Sequence, residues 1–136
     1  VTSRSAPPSR VIDASAAVEL LLAGERADAV ERSIEDVDLV APDSINPEVL
    51  QSIRGLERSG KVGRDRAEEM LADFLFMSVV RTPTFGLMFD AWALRHNLTA
   101  YDACYVALAR RLGVPLITGD HRIAGAPHLG IPLILV

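Results

Sequence analysis

Short apolar runs and helical stripes alternate along this chain, and that alternation restricts its fold more than any other feature. The runs are RVID (10–13), VDLVAP (37–42), SVVRT (78–82), VPLIT (114–118) and IPLILV (131–136). Between them apolar residues recur at helical spacing: Ala17, Val18, Leu21 and Leu22; Ala27, Val30 and Ile34; Val49, Leu50, Ile53 and Leu56; Ala67, Met70, Leu71, Phe74 and Leu75. Two more helices are expected over Phe85 to Arg95 and Ala100 to Leu112. Strands separated by helices run parallel and are covered on both faces. The expectation is therefore one α/β domain over residues 10–136, with a five-stranded parallel sheet between helical layers. Residues 1–9 (VTSRSAPPS) have no apolar period and are expected to be a leader or an expression remnant.

A chain of 136 residues fits one domain. With 49% apolar and 24% charged residues, it is too apolar for wholesale disorder. No apolar run approaches the ~20 residues that span a bilayer, so no membrane role is expected. The one cysteine, Cys104, excludes an intramolecular disulfide and argues against a cysteine-based zinc site. A reducing cytoplasm suits that usage. The net charge of −4 is unlike that of most nucleic-acid binders. Setting four acids aside for a metal site leaves acids and bases balanced.

In open parallel sheets, ligands bind beyond the carboxyl ends of the strands. Asp13 is expected as the last residue of strand one, and Asp120 lies two residues past strand four. Glu48 opens the helix after strand two, where Asn46 is expected as the cap and Pro47 as the first helical residue. Asp102 starts a helix that continues Ala-Cys-Tyr-Val-Ala-Leu-Ala, uncharged for seven residues (103–109). Such a helix is buried on nearly every side, so a carboxylate at its start is partly desolvated and gains from a nearby cation. Each acid also has a structural use. Asp13 and Asp102 can cap helices, Glu48 can complement a helix dipole, and Asp120 can form an Asx turn. Four carboxylates on one sheet edge repel one another without a cation. Oxygen ligands without His or Cys suit Mg²⁺ or Mn²⁺.

These residues resemble a known family. Val11-Ile12-Asp13-Ala14-Ser15-Ala16 is similar to the opening of a PIN domain, and Pro47-Glu48-Val49-Leu50 to its second acidic motif. The run from Asn97 through Thr99, Ala100, Tyr101 and Asp102 to Ala109 resembles the third motif, and Thr118-Gly119-Asp120 the fourth. Order and spacing agree over residues 10–136, with the VapC group of toxins from type II toxin–antitoxin modules the best match. The resemblance implies an acidic quartet of Asp13, Glu48, Asp102 and Asp120. It implies Mg²⁺-dependent endoribonuclease activity, with Mn²⁺ substituting, on structured RNA such as transfer or ribosomal RNA. In-line attack by water would leave a 5′-phosphate and a 3′-hydroxyl. The implied partners are a second copy, as a homodimer, and a VapB-type antitoxin whose tail occupies the active-site groove. Ser15 and Thr118 match polar positions near the family's metal site. Some members carry a further acid after the fourth motif, where His121-Arg122 stand here.

Other signals carry less. Arg54, Arg58, Lys61, Arg64 and Arg66 cluster within thirteen residues, and Arg54 and Arg58 are candidates for tracking an RNA backbone. His121 is a candidate phosphate contact beside Asp120. The segment Gly55 to Val62 nearly matches a P-loop but lacks the Ser or Thr that binds Mg²⁺. Phe85, Phe89 and Trp92 are expected in the core, as is the Cys104 thiol. Met70, Phe74, Phe76 and Met77 are expected as core or as a contact for a partner. A phosphoacceptor domain or an Asp-nucleophile phosphatase is disfavoured, because no second acid stands beside Asp13 and the only lysine, Lys61, lies in a turn. The remaining alternative is a catalytically silent PIN-like module that binds RNA or a protein.

Overall fold

A computed structural model describes residues 6–136. The first five residues of the expected leader lie outside that range. Strand β1 (Ser9–Ile12) leads into helix α1 (Ala14–Leu22), followed by α2 (Ala27–Ile34), β2 (Asp38–Pro42), α3 (Ile45–Arg58), α4 (Arg64–Phe76) and β3 (Val79–Thr82). A 3₁₀ turn (Thr84–Leu87) then runs into the short α5 (Met88–Trp92), followed by α6 (Ala100–Leu112), β4 (Leu116–Thr118), α7 (His121–Ala124) and β5 (Leu133–Leu135). All five strands are parallel, in the order β3-β2-β1-β4-β5.

The expected architecture is therefore present. Strand order reverses between β1 and β4, the switch point at which such sheets bind ligands. Right-handed crossovers to one side of β1 and back to the other place α1 to α4 on one face and α6 on the opposite one. Helix α1 packs against α2, α3 and α4, while α6 packs on β1 and β2 and against α5. The central strands carry Val11, Ile12, Ala41, Leu116 and Ile117, all fully buried. Helix α6 is buried along Tyr105, Val106, Ala107, Leu108 and Ala109, as its uncharged run requires. It ends on Gly113 at φ 65, a left-handed conformation that glycine takes without strain.

Several local expectations are corrected. Asp13 is not the last strand residue but the N-cap of α1, although its N–H still donates to Ile117 O across the sheet. Helix α3 begins one residue before Asn46, with Ser44 at the N-cap, because burial of Ile45 draws the first turn inward. Asn46 then lies inside the helix and accepts from Arg81 at 3.1 Å. The helix expected over 85–95 is a 3₁₀ turn and five α-helical residues. It buries Leu87, Ala91 and Leu94, whereas Phe85 and Phe89 are 88% and 90% exposed and Trp92 is also outside the core. Two apolar stripes interleave there, and helical spacing alone does not say which one faces inward. Leu50 and Leu75 likewise point outward, and Phe76 is exposed while Met70 and Phe74 are core. Cys104 is only half-buried. Among the described residues no helix is long and apolar enough to cross a membrane.

Candidate active site

The carboxyl ends of β1 and β4 deliver Asp13 and Asp120 to either side of the switch point. Glu48 arrives on the first turn of α3 and Asp102 on the first turn of α6. All four line one open cleft of about 710 Å³, together with Ser15, Gln51, Ser52, Tyr101, Tyr105 and Arg122. Convergence of the four acids on one cleft follows from topology, because each lies just after a strand or in the first turn of a helix that starts at the same sheet edge.

Asp13 is the most enclosed of the four, at 4% exposure. Its Oδ1 accepts from Ser15 Oγ at 2.6 Å and from the Ala16 N–H at 2.9 Å, and its Oδ2 accepts from Thr118 Oγ1. Ser15 Oγ also receives the Gly119 N–H, and Thr118 Oγ1 the Asp120 N–H, each at 2.9 Å. These two hydroxyls therefore tie the end of β1 to the loop after β4. Burial pushes the Asp13 carboxyl above its usual range against the pull of those bonds, and the Asp102 charge adds to the rise.

Tyr105 donates to Glu48 Oε2 at 2.8 Å. Burial raises the Glu48 carboxyl, Tyr105 opposes the rise, and Asp102 and Asp13 add to it. Burial also raises Asp102, and Asp120 raises it further. Thr99 caps α6, accepting from the Asp102 N–H at 3.2 Å. Asp120 behaves oppositely. The Arg122 guanidinium beside it holds its carboxyl below the usual range, with Nε donating to Oδ1 at 3.1 Å and Nη2 to Oδ2 at 2.9 Å.

The donor set fits a hard divalent cation: it consists of carboxylate oxygens, three of them on groups that burial and mutual repulsion make reluctant to ionise. Asp13, Glu48 and Asp120 are hydrogen-bonded to donors of the protein itself. Among the described residues no three His, Cys, Asp or Glu side chains are arranged to hold one ion together.

The remaining site candidates separate. Ser15 stands in the cleft wall, but Thr118 is fully buried and touches Asp13 instead of the opening. Arg54 lines a second groove between α3 and α4, with Leu50, Ile53, Glu57, Arg64 and Leu71. Arg58 and His121 are exposed and line neither cleft. Sequence reasoning passed over Tyr105, whose position in an apolar run hides its hydroxyl, and Arg122, which was weighed only as a missing acid.

Comparison with known proteins agrees with this geometry. The model of the PIN domain family matches residues 10–129. Ribonuclease VapC1 of Mycobacterium tuberculosis is 38% identical over 133 residues, covering 93% of this chain and 96% of that protein. Ribonuclease VapC12 of the same organism is 39% identical over 114 residues, covering 84% and 88%. Among solved structures, PAE2754 from Pyrobaculum aerophilum superposes with a TM-score of 0.65 at 23% identity, covering 93% and 84% of the two chains. VapBC2 from Rickettsia felis, bound to a promoter DNA fragment, gives 0.62 at 12% identity, covering 92% and 96%. VapC20 of M. tuberculosis, described as a sarcin-ricin loop cleaving toxin, gives 0.59 at 21% identity, covering 86% and 95%. The fold and the acidic cleft define a PIN-type domain. The chain belongs to the PIN-domain family, in its VapC ribonuclease branch.

Proposed function

We propose that this chain is the metal-dependent endoribonuclease toxin of a VapBC-type pair, acting on structured RNA in the cytoplasm. The observation that carries the reading is the convergence of Asp13, Glu48, Asp102 and Asp120 on one open cleft at the sheet's switch point. Mg²⁺, with Mn²⁺ as substitute, is the cation this oxygen set favours. When bound, it supplies a Lewis acid that activates water and neutralises charge growing on the phosphate. Asp13 contributes a carboxylate fixed by Ser15 of α1 and Thr118 of β4. Glu48 contributes one fixed by Tyr105. Asp102 completes the set from the first turn of α6 and Asp120 from just past β4. The phosphodiester enters from solvent through the open side, where Tyr101, Gln51 and Ser52 flank the acids.

The substrate class and the partners follow the relatives. The sarcin-ricin loop named for VapC20 is a ribosomal stem-loop, which supports structured RNA as the target. The VapBC2 complex supports a VapB-type antitoxin. A homodimer is supported by the outward stripe of Phe85, Met88, Phe89 and Trp92, apolar surface that a monomer would leave in water. The domain is proposed to span 10–136, with β1 drawing Ser9 into the sheet as well.

The test is cleavage of total bacterial RNA by the purified protein with Mg²⁺ or Mn²⁺, its 5′ ends mapped by sequencing. Discrete cuts that vanish with chelator and in Asp13→Asn support the reading. Metal-independent cuts, or cuts retained by a folded Asp13→Asn, overturn it. Absence of both cleavage and metal binding would favour a silent binding module.

A further inference from the structure

Asp120 stands apart from the other acids in how it is held. Both of its oxygens are engaged by one residue two positions along the chain: Arg122 Nε and N–H donate to Oδ1, and Nη2 to Oδ2. Asp13 and Glu48 take their donors from the buried or half-buried network around them. Arg122 is 84% exposed along its side chain, whereas Asp120 is 18% exposed. The guanidinium also lines the cleft. A planar fork on a carboxylate occupies the same two oxygens that a cation would use. Once released, an exposed guanidinium is hydrated without a burial penalty and remains at the mouth of the cleft.

We propose that Arg122 is a positioning residue that competes with the divalent cation for the Asp120 carboxylate, holding it in the metal-free chain and releasing it when the cation binds. This rests on the metal-dependent reading above. The Asp120 side chain also caps α7 by accepting from the Arg122 N–H, a bond that any residue but proline at 122 supplies, so replacing the guanidinium leaves the cap in place.

The experiment is titration of the chelator-treated protein with Mn²⁺ in the absence of RNA, free Mn²⁺ being read by electron paramagnetic resonance. Wild type is compared with Arg122→Ala and Arg122→Lys, after circular dichroism has shown each to be folded. Arg122→Ala is expected to bind Mn²⁺ roughly two- to fivefold more tightly, the range of one exposed ion pair. Arg122→Lys separates the fork from the charge. It keeps the positive charge but loses the planar pair of donors, so competition by the fork predicts that it retains at least half of that gain on a logarithmic scale. A lysine variant with less than half of the gain assigns the effect to charge alone and overturns the proposal, as does an alanine variant that binds no more tightly than wild type. If neither wild type nor variants bind Mn²⁺, the metal-dependent reading itself fails, and this proposal with it.

Discussion

Asp13 and Asp120 line one cleft, just past the adjacent strands β1 and β4, and are held in opposite ways. Asp13 is buried, and its donors come partly from its own helix α1, through Ser15 and the Ala16 N–H, and partly from β4, through Thr118, which comes within reach only when the sheet is assembled. Asp120 takes its side-chain donors from its own loop, through a solvent-exposed arginine. The first carboxylate is therefore preorganised by the fold. The second is preorganised by nothing larger than an Asx-like turn and an exposed ion pair, a bond worth little in water. The cleft thus has a rigid end in the sense of a carboxylate locked by the fold, Asp13, and an adjustable one in Asp120.

The sharpest way to break this comparison is in catalysis. Asp13→Asn is expected to lower RNA cleavage by at least about a thousandfold, the scale seen when one member of an interdependent catalytic set is removed. Asp120→Asn is expected to lose less, because its side chain reaches the site only after giving up Arg122. Single-turnover cleavage of a mapped substrate decides it, and equal losses would remove the distinction.

The stability of the metal-free protein sharpens it next. Thr118→Val deletes a buried donor to a buried carboxylate and is expected to cost about 1–3 kcal/mol, read from the urea midpoint. Arg122→Ala removes one exposed ion pair and is expected to lower that midpoint by less than Thr118→Val does. A Thr118→Val midpoint at the wild-type value would mean that the hydroxyl contributes nothing to holding the rigid end.

The pH dependence follows from the same groups. Asp13, Glu48 and Asp102 have folded-state pKa values raised above their ordinary carboxylate range, chiefly by burial. Between the unfolded and the folded values, the folded state binds more protons than the unfolded one. Stability of the metal-free chain therefore rises as pH falls through that window. Asp120 is shifted the other way by Arg122 and contributes the opposite slope. The melting temperature in chelator is expected to rise as pH is lowered from neutral towards the ordinary carboxylate range, and Asp13→Asn to flatten the rise. Added Mn²⁺ is expected to reverse the slope, because the cation binds the ionised carboxylates. A metal-free melting temperature that falls over this range would show that the acids are not desolvated as the geometry implies.

What could be read from the sequence divides along the same line as the two aspartates. The parallel sheet was legible because five apolar runs alternate with helical stripes, and the acids because each sits where a strand ends or a helix starts. Those are properties of chain direction and period. The failures concern which side of an element faces inward. The segment 85–95 carries one stripe through Leu87, Ala91 and Leu94 and another through Phe85, Met88, Phe89 and Trp92, and the bulkier one faces water. Period alone says nothing of what covers a face. The start of α3 moved because Ile45 is buried, a tertiary preference that outweighed the local cap signal of Asn46. Tyr105 was illegible for a related reason. Within an apolar helix its ring predicts burial, but only the approach of α3 reveals that its hydroxyl meets Glu48.

Tyr105 therefore offers the smallest and most specific test. Its ring is core, at 1% exposure, and its hydroxyl stabilises the ionised Glu48. Tyr105→Phe keeps the packing and removes one charge-assisted hydrogen bond. The folding loss is expected to be about 1 kcal/mol, because Glu48 is only half-buried and water can replace part of the donor. Cleavage is expected to fall by less than about tenfold, the equivalent of ~1.4 kcal/mol, since the carboxylate remains in place but loses its fixed orientation. If Glu48 belongs with Asp13 at the rigid end, Tyr105→Phe should weaken Mn²⁺ binding while Arg122→Ala strengthens it. That opposition in sign, measured on one protein with one ion, separates a donor that holds a carboxylate ready from one that holds it back. If both variants shift binding in the same direction, the cleft does not have a rigid and an adjustable end.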